Sequence, residues 1–327
     1  MLSINRQASE IADQMVTDSQ RLGISVTRLT CGARLIDIGL EAPGGWLAGK
    51  FAAEISLGGL GDVSFVPLNF NTGSPAGSDG EFWLPGVRIV VDQPVIACMA
   101  SQYAGWGIRR ENFFAIGSGP ARAASAAEPL FQKLPYKDHS DSAVIILEGS
   151  KQPTDEAAEY IARKCQIDPD KLTILAAPAA CLAGSFQLSA RVVATGMHKM
   201  LYLGFDVTKV LHGYGTCPIA PVVTDEDLAS ALSNDCVLYG GRVHYTVRAD
   251  DDELEALVKR IPSSASESYG TPFYQLYQKY GSFYNMDPLL FCPSEVSINN
   301  LNSGHTFRSG QPHLQVLRTS LLGEQIN

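Results

Sequence analysis

At 327 residues, 45% hydrophobic and 18% charged, the chain can bury a large core and is expected to form two lobes rather than one. A formal charge of −9 with dispersed Lys and Arg excludes a general nucleic-acid binder, whose affinity rests on clustered cations. Met1 to Leu22 interleaves Arg, Glu and Asp with apolar residues and reads as no secretory signal, and the apolar stretch Ile174 to Gly184 is about half of a bilayer span and contains Pro178; a cytoplasmic protein with no membrane association is expected.

In chain order, Ala8, Ile11, Ala12 and Met15 recur at helical spacing, and Leu22-Gly23 supplies a left-handed stop. Ile24 to Leu29 and Ala33 to Leu40 read as strands around Cys31-Gly32, followed by a helix from Leu47 to Leu57 that stops at Gly58-Gly59. Asn69 to Gly86, rich in Gly, Pro, Ser and Asn, is expected to be a surface insertion. Val87 to Val91 is a strand, a helix starts after Pro94, and Gly117 to Arg122 is a glycine turn running into another helix. Ala143 to Leu147 and Leu172 to Leu175 are short buried strands flanking a Thr154-capped helix that reaches Cys165. Ala183 to about Leu203 is expected to be one long helix ended by Gly204, and Cys236 to Val247 a strand-rich stretch broken at Gly240-Gly241. The fold class is therefore α/β (α+β), with an N-terminal lobe over 1–150, a C-terminal lobe over 151–327, an approximate boundary, and elements that can be exchanged between the two. Ala48-Gly49-Lys50-Phe51 and Ala183-Gly184-Ser185-Phe186 hint weakly that the lobes are related.

Seven cysteines (Cys31, Cys98, Cys165, Cys181, Cys217, Cys236 and Cys292) form no C-x-x-C pair and read as reduced, mostly buried thiols, so no metal is expected. Gly117-Ser118-Gly119-Pro120-Ala121-Arg122 would present backbone N–H groups and a cation to an anion, or else be a tight turn that needs glycine for its backbone; it matches neither a phosphate loop nor a dinucleotide fingerprint. Ser101-Gln102-Tyr103-Ala104-Gly105-Trp106 has the composition to grip a flat heteroaromatic ligand, although Tyr103 and Trp106 serve equally well as core. Phe273, Leu276, Tyr277 and Tyr280 share a helical face that reads as core packing, with Tyr269 just outside it. The histidines His139, His198, His212, His244, His305 and His313 are isolated, and a structural or solvent-facing role is expected for each.

Taken together, Ser101 to Trp106, Phe113 to Arg122, Ala183-Gly184-Ser185 through Val193, Asn234-Asp235 before Tyr239-Gly240-Gly241, Tyr269 to Tyr274, Tyr284 to Pro288 and Asn299-Asn300-Leu301 resemble methenyltetrahydromethanopterin cyclohydrolase along nearly the whole chain. The resemblance implies a cytoplasmic, often trimeric hydrolase of two α/β lobes with a pterin one-carbon substrate in the cleft between them. No cofactor and no metal would take part. The enzyme family interconverts methenyl- and 5-formyl-tetrahydromethanopterin in one-carbon metabolism, serving methanogenesis or formaldehyde oxidation.

On that resemblance the substrate-binding residues are Ser101, Gln102, Tyr103, Gly117, Ser118, Gly119, Arg122, Ser185, Tyr269 and Asn299, with Ser101 to Trp106, Gly117 to Arg122 and Arg191 expected to converge on the cleft. The family's general base is a glutamate three residues after an arginine that lowers its pKa. The arginine matches Arg191, and the glutamate position is Ala194. On one helix Arg191, Ala194 and His198 fall on a single stripe that carries a methyl group where a carboxylate is expected. Three explanations stay open: a substitution made to trap substrate, a paralogue that binds the pterin without hydrolysing it, or relocation of the base, to Glu148 for example.

Overall fold

The computed structural model describes residues 2–71, 81–282 and 285–323. The strands are β1 (Ser25–Arg28), β2 (Arg34–Asp37), β3 (Gly61–Asn71), β4 (Glu81–Val91), β5 (Trp106–Arg110) and β6 (Phe113–Ser118). They continue with β7 (Ala143–Glu148), β8 (Leu172–Ala177), β9 (Val210–Pro218), β10 (Arg242–Val247), β11 (Glu295–Asn300) and β12 (Thr306–Gly310). They build two mixed six-stranded sheets, one in each of two compact units. The first unit comprises Met1–Gly61 and Val91–Gln187, the second Asp62–Val90 and Leu188–Asn327. A linear cut at residue 150 falls inside the first unit, which runs on to Gln187, and nearly all of β3 and β4 belong to the second although the chain reaches them early.

The first unit carries the sheet β1-β2-β8-β7-β6-β5, in which β2, β8 and β7 run parallel and the strands outside them antiparallel. Its helices are α1 (Ile4–Thr17), α2 (Ser19–Leu22), α3 (Trp46–Ser56), α4 (Ala121–Ser125), α5 (Asp155–Cys165) and α6 (Leu182–Ser189). β7 and β8 are nearly continuous apolar runs because helices cover both faces of the parallel strands. Ile145, Leu147, Ile174 and Ala176 face Ala157, Ala158, Ile161 and Ala162 of α5. The alternate residues Val144, Ile146, Leu175 and Ala177 face Ala8, Ala12 and Met15 of α1 and Ala48, Ala52 and Ile55 of α3. Thr154 caps α5 as expected, its hydroxyl accepting from Ala157 N at 3.2 Å.

The second unit carries the sheet β12-β11-β10-β9-β4-β3, with β10 and β11 parallel. Its helices are α7 (Val192–Tyr202), α8 (Glu226–Asp235), α9 (Asp251–Val258), α10 (Phe273–Tyr280) and α11 (Leu314–Leu322). Val243, Tyr245 and Val247 of β10 alternate with half-buried polar residues, the pattern of a sheet with one covered face. α7 docks on that face through a close approach: Tyr245 Oη donates to Val193 O at 2.7 Å, and a Cβ at Gly196 would lie 2.2 Å from the same hydroxyl. Phe273 and Leu276 of α10 join Leu238, Tyr239, Val316 and Leu317 in a core, so the aromatic helix packs as its spacing predicts.

Four expectations need correction. Gly- and Pro-rich Asn69 to Gly86 does not form one loop, since β3 extends to Asn71 and β4 starts at Glu81; residues 72–80 lie outside the described residues, as do Phe283 and Tyr284. The helix expected from Ala183 to Leu203 is two, α6 and α7, because the backbone of Arg191 leaves helical geometry (φ −83°, ψ 4°) and its N–H closes on Leu188 O, three residues back. Cys236–Gly240 is a π-helical turn continuing α8, fully buried, and a short buried apolar run has no periodicity to separate helix from strand. The similar segments at Ala48 and Ala183 are not equivalents in two lobes: both lie in the first unit and pack together, a Cβ at Gly49 falling 2.8 Å from Ala183 O.

Candidate functional site

In the first unit the two glycine-containing segments do meet. A π-helical stretch, Val95–Gln102, ends at Tyr103, and the Ser101 carbonyl accepts from Gly119 N at 2.9 Å and from Arg122 Nη1 at 2.9 Å. Gly119 takes φ +99°, which explains the glycine. Ser101 Oγ donates to Ser56 O at 2.6 Å and Gln102 Nε2 to Ser56 Oγ at 3.1 Å. Arg122 is 0% exposed. Its Nε and Nη2 grip both oxygens of Glu128 at 2.7 and 2.8 Å, its other contacts go to the Met99 and Ser101 carbonyls, and its guanidinium lies 5.2 Å from the Tyr103 ring centroid. Such a bidentate, neutralised pair holds two loops together and carries no net charge with which to attract an anion. Gly117 and Ser118 are buried strand residues of β6, paired with Leu147 and Ile146.

Glu148 closes β7 at the carboxyl end of the parallel strands, the end at which open α/β sheets bind ligands. It is half-buried, and Gln187 Nε2 of α6 approaches its Oε2 at 3.5 Å. Ser185, on the same helix, is 1% exposed.

In the second unit Arg191 stands at the break before α7, and Ala194, one turn on, is 2% exposed. The partly exposed stripe of that helix is Arg191, Thr195, His198 and Tyr202, and Ala194 lies on its buried side. Lys199, next to His198, is buried with its ammonium on the Leu289 carbonyl, and burial holds its pKa below the usual lysine range. Asn299 of β11 gives its side-chain N–H groups to the turn into β12, at 3.1 Å to Thr306 Oγ1 and 3.3 Å to His305 O.

Tyr269 sits in an aromatic triangle with Tyr239 (centroids 5.3 Å apart) and His313 (5.4 Å). Burial pushes the Tyr269 hydroxyl up to about 12 and that of Tyr239 higher still. Beneath them the buried carboxyl of Asp235 accepts from Phe273 N at 2.9 Å and from the Ser320 hydroxyl, and burial pushes it up to about 7. Sequence reasoning passed over His313, whose nearest histidine in the chain is eight residues away, and over Asp235 as a titrating group; only the fold brings them to Tyr269 and α10. Among the described residues no three His, Cys, Asp or Glu side chains group as metal ligands, and no helix is long and apolar enough to cross a membrane.

The family model described as Cyclohydrolase (MCH) matches residues 3–321. A protein of Methanosarcina barkeri named methenyltetrahydromethanopterin cyclohydrolase is 40% identical over 324 residues, 98% of each chain. Proteins of the same name from Methanocaldococcus jannaschii and Methanothermobacter marburgensis are 41% identical over 325 residues and 40% identical over 324, each covering 98% of this chain and 98% and 99% of their own. A match that runs unbroken through both units leaves neither as an unrelated appendage: the chain belongs to the cyclohydrolase (MCH) family.

Proposed function

We propose that the chain hydrolyses 5,10-methenyltetrahydromethanopterin to 5-formyltetrahydromethanopterin, reversibly. The observation that carries this is the full-length similarity, near 40% identity, to relatives bearing that activity in their names. The reacting carbon is an amidinium cation bridging two nitrogens. Water adds to it and gives up a proton, the tetrahedral carbon then loses one C–N bond to a protonated nitrogen, and the formyl group stays on the other. The protein has to place the water, accept its proton and return one to the leaving nitrogen, which is general acid–base work plus orientation and needs no cofactor or metal. The setting we assign is cytoplasmic one-carbon metabolism, whether methanogenesis or formaldehyde oxidation, by a homotrimer; light scattering of the purified chain tests the assembly.

Ala194 makes the origin of the base the open chemical point. A glutamate there would be buried, and a buried carboxylate is tolerated only when paired, a role Arg191 can serve from one turn earlier. Glu148 is the alternative base in the first unit, and His198 the third group to test. The assay follows loss of the methenyl chromophore for the chain, for Ala194→Glu, and for Glu148→Gln and His198→Gln. We expect Ala194→Glu to raise kcat by about 10²–10⁴, the usual contribution of a general base, with little change in KM. Loss of the residual rate in Glu148→Gln or in His198→Gln would identify the substitute. Failure of both the chain and Ala194→Glu, each folded, to hydrolyse the methenyl pterin would overturn the proposal.

A further inference from the structure

Around Tyr269 the second unit forms an open pocket of about 610 Å³, within the range of small-molecule sites. One wall is made of the Tyr269 and His313 rings, set edge-on at 69°. Both are held by the fully buried Tyr239. Its hydroxyl donates to Thr271 O at 2.7 Å and accepts from Gly270 N at 3.2 Å, fixing the loop that carries Tyr269, while its backbone carbonyl accepts from His313 N at 2.8 Å. A single core residue, through its hydroxyl and its backbone carbonyl, therefore helps to set the position of both walls, so little ordering is left for a ligand to impose.

The polar groups are as specific as the aromatic ones. His313 caps α11, its Nδ1 accepting from Val316 N at 3.3 Å. That bond uses the Nδ1 lone pair, so the capping imidazole carries its proton on Nε2 and its remaining polar atom is a donor. Gln311 and Gln315 line the same pocket with exposed carboxamides, each offering a donor and an acceptor, and Ser264 adds a hydroxyl. Among the described residues that line it, none is Asp, Glu, Lys or Arg. Such a lining suits neither a phosphate, which wants cations, nor an ammonium, which wants carboxylates. It suits a flat, uncharged ring with an amide-like edge.

We propose that this pocket receives the aminopyrimidinone edge of the substrate's pterin, with Tyr269 and His313 as specificity-determining residues, Gln311 and Gln315 pairing with the ring's amide and amine groups, and Tyr239 as a positioning residue. This rests on the hydrolase reading above, and it adds a ligand-facing role for His313 and the two glutamines.

The test uses the full chain and free pterin (2-amino-4-oxopteridine), whose own fluorescence reports binding, beside KM and kcat for the methenyl substrate. Loss of one well-placed hydrogen bond or ring contact should weaken binding about tenfold. We expect that loss for Tyr269→Ala and for His313→Leu, with KM raised and kcat nearly unchanged; His313→Asn, which can both cap the helix and donate, should recover part of it. Gln311→Leu, at an exposed position, tests the edge contacts without threatening the fold. Absence of saturable pterin binding, or unchanged affinity and KM in Tyr269→Ala and Gln311→Leu, overturns the inference even if hydrolysis proceeds normally. Pterin binding that depends on these residues in a chain that hydrolyses nothing, with or without Ala194→Glu, leaves the pocket standing and removes the hydrolase reading instead.

Discussion

Replacing Asp235 by Asn should make the protein more stable at neutral and alkaline pH, although it exchanges a charged hydrogen-bonding group for a neutral one. Asp235 ends α8 at 1% exposure, and its oxygens accept from the Phe273 N–H and the Ser320 hydroxyl. Those bonds favour the carboxylate, yet burial outweighs them and carries the group from an ordinary 3.8 up to about 7. The folded chain keeps the proton until about pH 7, whereas the unfolded chain releases it near pH 4. Between these values the folded state binds more protons, so stability falls as pH rises through the window and levels off above it. Three pKa units at about 1.36 kcal/mol each set the size at roughly 4 kcal/mol, an upper limit that structural relaxation lowers. Asparagine keeps an acceptor for Phe273 N and gains a donor for Ser320 Oγ, without a proton to lose. Urea unfolding of both proteins from pH 5 to pH 8.5 measures the effect: Asp235→Asn should gain on the parent by up to about 1.4 kcal/mol per pH unit until near pH 7. A variant less stable than the parent at pH 8, or a gap between the two that does not change with pH, would refute the reasoning.

Three further outcomes follow from packing. Gly196→Ala, whose methyl would press on Tyr245 Oη at 2.2 Å, should cost about 2–3 kcal/mol, and Tyr245→Phe in the same chain should recover much of it; simple additivity in a double-mutant cycle of unfolding free energies would count against the contact. Arg122→Met should destabilise by about 3–5 kcal/mol by stranding Glu128, and Arg122→Met with Glu128→Leu should unfold at higher urea than Arg122→Met alone. Thr154→Ala should lose about 1 kcal/mol through the α5 cap, read by the same unfolding midpoint.

The parts of this fold that the sequence made legible are those with a regular period. Ala8, Ala12 and Met15 mark α1, the apolar runs of β7 and β8 mark the buried parallel strands, and Thr154 marks α5, because in each case one geometric repeat maps residues onto one buried face. What stayed illegible departs from regular geometry. Val95–Gln102 and Cys236–Gly240 are π-helical, with a period that fits neither the 3.6-residue nor the 2-residue template, so the first read only as a helix start and the second as a strand. Each runs through a tyrosine and two small residues, Tyr103-Ala104-Gly105 and Tyr239-Gly240-Gly241, directly into a strand, β5 or β10. That correspondence is closer than the one between Ala48 and Ala183, and no regular period in the sequence reveals it. The break at Arg191 is of the same kind, since no Gly or Pro announces it. Irregular backbone persists where surrounding structure over-determines it, and here it carries Ser101, Gln102, Tyr103, Tyr239 and Arg191, most of which the family resemblance names for the site. The residues hardest to place from pattern are therefore largely those that the resemblance assigns to the site, which is why Ala194→Glu, a change one turn after the break at Arg191, is the substitution that bears most directly on function.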